Sequence, residues 1–66
     1  MIKTPYQITQ EGIIFTVTHE GTIIARCFDH IENALHSIFV TEGSKEGYYY
    51  VLYGEDVYLT KKEVEL

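Results

Sequence analysis

One cysteine, Cys27, and three histidines, His19, His30 and His36, are the only side chains here suited to soft-metal or nucleophilic chemistry. A zinc site needs several such groups converging on one point. Cys27 is expected to point into a core and His19 to lie in a loop. His30 and His36, six positions apart, are expected on the solvent side of a helix. These four do not converge, so neither a metal nor any other cofactor is expected. As a nucleophile, Cys27 would need an exposed, activated thiol beside a base, whereas a buried thiol is inert packing. The only adjacent carboxylates, Glu55 and Asp56, fall at a hairpin tip where water solvates both, a poor setting for acid–base catalysis. Each glycine stands alone at a turn or helix end, and no glycine-rich phosphate loop occurs. The chain is therefore expected not to be an enzyme.

Tyrosine is the residue type that stands out. The stretch GYYYVLYGEDVY, residues 47–58, holds five of the six tyrosines. Such side chains recognise rather than react: they offer large amphipathic area at modest entropic cost and are enriched at interface cores.

The elements that position these residues follow from periodicity. In IIFTVTHEGTIIARCF, residues 13–28, a three-residue loop His19-Glu20-Gly21 would set Thr18 against Thr22. Val17, Phe15 and Ile13 would then face Ile23, Ala25 and Cys27, giving one fully apolar face. The reverse face would carry Ile14, Thr16, Thr18, Thr22, Ile24 and Arg26. Upstream, a Glu11-Gly12 turn would pair Gln10 with Ile13 and set Ile8 and Tyr6 against Phe15 and Val17, with Pro5 at the start of the strand.

Residues 29–43 change period. Ile31, Ala34, Leu35, Ile38 and Phe39 mark one face of a helix, with Asp29 and Glu32 as a capping box and Gly43 as its end. His30, Asn33, His36, Ser37 and Thr41 form its polar side. The last hairpin has two registers. A Gly54-Glu55 turn puts Tyr48, Tyr50, Leu52, Val57 and Leu59 on one face and Tyr49, Val51, Tyr53, Tyr58 and Thr60 on the other, whereas a three-residue loop regroups them. Either way a tyrosine-rich face is left over. The closing LTKKEVEL continues the alternation, and its paired lysines suit an edge strand.

The predicted fold is a single α+β domain spanning residues 1–66. It has a five-stranded antiparallel or mixed sheet in the order β-β-β-α-β-β, with one amphipathic helix on one face. The helix crossover favours the fourth strand returning parallel to the third. Sixty-six residues bury a core worth only a few kcal/mol, so a second subunit is a plausible source of extra burial and a homodimer is expected. A composition of 45% hydrophobic and 23% charged residues belongs to ordered globular chains. With one cysteine, no apolar leader in MIKTPYQITQ and no run of about eighteen apolar residues, a reducing, cytoplasmic setting without membrane insertion is expected.

A net charge of −5 disfavours direct binding to nucleic acid, since Arg26, Lys61 and Lys62 are the only cations expected near the sheet. It favours a protein with a basic surface. Most acids fall where they solvate a surface, although acids around a tyrosine patch could also imitate nucleic acid. These features predict a small acidic regulatory or inhibitor protein that occludes a larger partner through the helix-free side of its sheet. The contact residues would be Tyr49, Val51, Tyr53, Tyr58, Ile14, Ile24 and Arg26. The alternative is a small-ligand binder with a pocket between sheet and helix or at a dimer interface, where tyrosine hydroxyls and His36 would fix a polar ligand.

Overall fold

Alternation of apolar and polar residues builds five strands, and one stretch of helical spacing builds the helix that covers them. The computed structural model describes residues 1–43 and 46–62. In chain order the elements are β1 (Ile2–Glu11), β2 (Ile14–His19), β3 (Thr22–Phe28), α1 (Ile31–Glu42), β4 (Tyr48–Tyr53) and β5 (Asp56–Lys61). Glu63, Val64 and Glu65, which would extend the last alternation, lie outside the described residues. The strands form one sheet in the order β3-β2-β1-β5-β4, every neighbouring pair antiparallel.

The α+β class with one helix on a five-stranded sheet is as expected. The crossover is as expected in direction only: four antiparallel steps leave β4 running the same way as β3, but the two lie at opposite edges. The sheet is therefore antiparallel throughout rather than mixed, and α1 packs on β3, β2 and β4 as it carries the chain across. β5 is also an interior strand, so Lys61 and Lys62 do not guard an edge as their pairing suggested.

β1 is central and must serve two neighbours, which accounts for its length of 10 residues. Its second half, Tyr6 to Glu11, pairs with β2, and its first half pairs with β5. The register against β5 shifts between Lys3 and Gln7, and Pro5 sits inside that irregularity rather than at a strand start. A proline has no amide to give a ladder and is tolerated at such a bulge. Nearby side-chain bonding supplements the ladder: Thr4 Oγ1 donates to the Val57 carbonyl at 2.7 Å and accepts from the Tyr6 amide at 3.2 Å.

Two turns differ from expectation by local backbone chemistry. Between β1 and β2 the turn residues are Gly12 and Ile13, with Glu11 opposite Ile14. Gly12 takes φ 61°, and glycine at the first turn position is what a type II′ turn favours. Ile13 is thereby expelled to the turn and is 62% exposed. Between β2 and β3 the loop is the two residues Glu20 and Gly21, with φ of 51° and 84°, and His19 pairs with Thr22. That is the signature of a type I′ turn. Thr18 then faces Ile23 while Val17 faces Ala25, so Ile24 is the extra residue of a bulge and Ile23 is left 52% exposed. Phe15, Val17, Ala25 and Cys27 still line the core side, because the β1–β2 register moved by two residues and the bulge adds a second residue to the one-residue shift at the β2–β3 turn. Ile23, on the turn side of the bulge, changes face.

Glu20 pays a steric penalty for its positive φ that asparagine would largely avoid. Glu20→Asn is expected to raise stability by up to about 1 kcal/mol, read as a higher denaturation midpoint in urea.

Helix entry is also unlike the predicted capping box. Asp29 has φ 75°, and the N-cap is His30, which is extended and makes no side-chain cap bond. The Asp29 amide donates to the Ile13 carbonyl at 3.0 Å, while Asn33 Nδ2 donates to the Phe28 carbonyl at 2.8 Å. Gly43 at φ 80° ends the helix as expected.

The core lies between α1 and the sheet. Tyr6, Ile8, Phe15, Val17, Ala34, Ile38 and Val57 form it, with Ala25, Cys27, Ile31, Leu35, Tyr50 and Leu52 partly buried around them. Phe39, expected on the inner face, is 37% exposed at its margin.

Candidate interaction surface

The side of the sheet opposite α1 has no cover among the described residues. The last hairpin decides which tyrosines reach it. Gly54, at φ 62°, and Glu55 form the two-residue turn, and Tyr53 pairs with Asp56, Val51 with Tyr58 and Tyr49 with Thr60. Glycine at the first position again favours this type II′ geometry over a longer loop. Tyr50 and Leu52, paired with Leu59 and Val57, face the helix and the core. Tyr49, Val51, Tyr53 and Tyr58 therefore share the open side.

On that side Tyr49 is 43% and Tyr53 56% exposed, while Val51 and Tyr58 are half-buried. The rings of Tyr53 and Tyr58 meet edge to face, centroids 5.7 Å apart, a favoured aromatic geometry. Beside them, Asp56 accepts from Gln7 Nε2 at 3.1 Å and lies 3.8 Å from Lys3 Nζ. That exposed ion pair contributes little stability but fixes the charge pattern at the patch rim.

The other three expected contact residues lie elsewhere. Ile14 and Ile24, 37% and 41% exposed, and the exposed Arg26 belong to β2 and β3 at the far side of the sheet. Gln7 and Thr9 of β1, with Thr16 and Thr18 of β2, interpose a polar stripe. At about 4.8 Å per strand, β4 and β3 are separated by roughly 19 Å. The expected single patch is thus two: a tyrosine group on β4 and β5, and a smaller apolar group on β2 and β3. Phe28, 55% exposed and paired with Ile14, joins the second group together with Ile23. Extending the β2–β3 register by one pair would have revealed Phe28.

The helix side holds two shallow clefts. One, of about 220 Å³, lies where the β1 bulge meets the helix end and is walled by Tyr6, Tyr50 and Glu42. Tyr6, 3% exposed, donates its hydroxyl to Glu42 Oε1. Burial pushes its pKa up to about 12, helped by that hydrogen bond and by the Glu42 charge. Burial likewise raises Tyr50, with Glu42 adding to the effect. The second cleft, about 260 Å³, runs between α1 and β4 along Leu35, His36, Phe39, Tyr49 and Tyr50, with His36 stacked on Phe39 at 6.2 Å. Both fall below the roughly 300 Å³ at which pockets for drug-sized ligands begin. Cys27 is half-buried on the core side, and among the described residues no group of three or more histidine, cysteine or acidic side chains is placed to hold a metal. Among the same residues no helix is long and apolar enough to cross a membrane.

Fold and surface together define a small α+β domain with one shielded and one open sheet face, the open face bearing an aromatic group at one edge. Compared with models of known families, with characterised proteins and with solved structures, the chain matches none of them.

Proposed function

We propose that this chain is a non-enzymatic protein-binding module, a small acidic regulatory or inhibitor protein that occludes a larger partner. Its working surface is the tyrosine group of the helix-free face. The observation that carries this reading is the pair Tyr49 and Tyr53, held on a strand and exposed, with Tyr58 edge to face against Tyr53 and Val51 between them on the same side of the strand. Interface hot spots are built in this way, with aromatic anchors on a rigid support ringed by polar groups. The net charge of −5 favours a partner whose contact surface is basic, and disfavours a nucleic acid. A free cysteine suits a reducing, cytoplasmic setting.

The test is partner capture with the wild-type chain and with Tyr49→Ser/Tyr53→Ser. The replaced side chains are exposed and lie outside the core cluster, so the double variant should keep its circular dichroism spectrum. Recovery of the partner is expected to fall at least about tenfold, corresponding to the loss of one hot spot. Ile23→Ser, in the far group, should leave recovery unchanged. Equal recovery by a folded double variant would overturn the proposal.

A further inference from the structure

We infer that two copies of this chain join edge to edge through β4, antiparallel about a two-fold axis at Val51, so that their two sheets continue into one. This rests on the protein-binding reading and names one occupant for the tyrosine-bearing edge.

The first support is the backbone. Tyr53 and Asp56 close a two-residue turn, so they exchange hydrogen bonds, as do Val51 with Tyr58 and Tyr49 with Thr60. The Lys62 amide donates to the Gly47 carbonyl at 2.7 Å, continuing the same phase. The amides and carbonyls of Tyr48, Tyr50 and Leu52 consequently point outward, where no strand meets them among the described residues. Such a row of alternating donors and acceptors is a template on which another strand can pair.

The second is the contrast between the two edges. β3 is guarded as edges usually are, with a charge at Arg26 and a bulge at Ile24. β4 has six residues, YYYVLY, without a charge, proline, glycine or register break. Two chains of charge −5 repel, yet none of that charge lies on this strand.

The third is self-complementarity. With the axis at Val51, Tyr49 of each copy faces Tyr53 of the other, and the two Val51 side chains meet between them. These are the closely spaced, non-hydrogen-bonded pairs in which cross-strand contacts are strongest. On the helix side, Tyr50 of each copy pairs with Leu52 of the other, beside the cleft at Phe39. Moving the axis to Tyr50 would set Tyr53 against Gly47 and leave its ring uncovered. The Val51 axis also merges the two tyrosine groups into one platform, doubling the aromatic surface offered to a further partner.

Disulfide trapping and sedimentation of the purified chain test this. In a Cys27→Ala background, Val51→Cys places two thiols on residues about 4.5 Å apart at Cα, within disulfide range. Mild oxidation should trap it as a covalent dimer. Tyr49→Cys, four residues off register and thus more than about 13 Å from its own copy, should remain monomeric. In sedimentation the wild type is expected to dimerise, and Val51→Lys, with like charges facing at the axis, should weaken dimerisation at least about tenfold. A wild type that stays monomeric up to about 500 µM, or equal trapping at both cysteines, overturns the edge pairing. Because these readouts use the chain alone, such a failure leaves the partner-capture result standing. A trapped dimer beside unaltered capture would instead reject the tyrosine surface and keep the dimer.

Discussion

Ile38→Ala is expected to bring this protein to the edge of unfolding. Ile38 is fully buried at the centre of the inner face of α1, packed into the cluster that also holds Val17 and Val57. Removing its outer methyl and methylene groups costs about 2–5 kcal/mol in transfer energy and residual cavity. A core of this size supplies no more than about 3–5 kcal/mol in total. For a domain of about this length each kcal/mol lowers the melting temperature by about 4–8 °C, so a fall of 10 °C or more is expected by circular dichroism. Val40, two positions on and 65% exposed, makes the control: Val40→Ala should stay within about 0.5 kcal/mol of the parent. A fall below about 5 °C for Ile38→Ala would mean that α1 is not seated on the sheet as described.

The second large effect is an alkaline loss of stability centred on Tyr6. Tyr6 is buried and its hydroxyl is bound to Glu42, and its pKa is pushed up from 10.0 to about 12. The folded state therefore holds this proton more tightly than the unfolded chain does. The resulting stability is fully present below pH 10 and is lost as pH rises through about 12, because the unfolded chain ionises first. The loss is on the order of 2 kcal/mol, and Tyr50, raised for the same reason, adds to it in the same direction. Urea denaturation at steps from pH 8 to 12 should show a plateau and then a steep decline. Tyr6→Phe removes the ionisable group and flattens most of that decline. Glu42 is exposed and can be rehydrated, so the variant should lose only about 1 kcal/mol at neutral pH. A decline of equal size in Tyr6→Phe would place its origin elsewhere.

How far the fold was legible depended on which physical signal each feature uses. Burial period identified every strand and the helix face, since Tyr6, Ile8, Phe15, Val17, Ala34, Ile38, Val57 and Leu59 are inward both by pattern and in the structure. The last hairpin was half legible: its two registers were both visible, and the preference of a type II′ turn for glycine at its first position favours the one observed. The same preference, applied at Gly12, would have placed the first turn correctly. It was hidden because a slip of two residues leaves every side chain on its own face, so burial cannot distinguish the registers. The pair Glu-Gly occurs at both turns and is used differently. At Glu20-Gly21 both residues sit in the turn, where the Glu20 amide donates to the Pro5 carbonyl at 3.0 Å and His19 packs on Tyr6 at 4.8 Å. That choice depends on β1 lying alongside.

The interaction surface divides in the same manner. That one face of GYYYVLYGEDVY would be left over was determined by the sequence alone, because a single helix cannot cover both sides of a sheet. Which residues accompany it was decided only in three dimensions. With β1 central, Ile14 and Arg26 go to one side and Tyr49, Tyr53 and Tyr58 to the other, and the order of strands leaves β4 rather than β5 at the edge. Alternation acts between neighbours in the chain and is written in residue types. Strand order is set by where α1 can cross and still bury Ala34 and Ile38 over the central strands, a balance of packing and chain closure that no local pattern encodes.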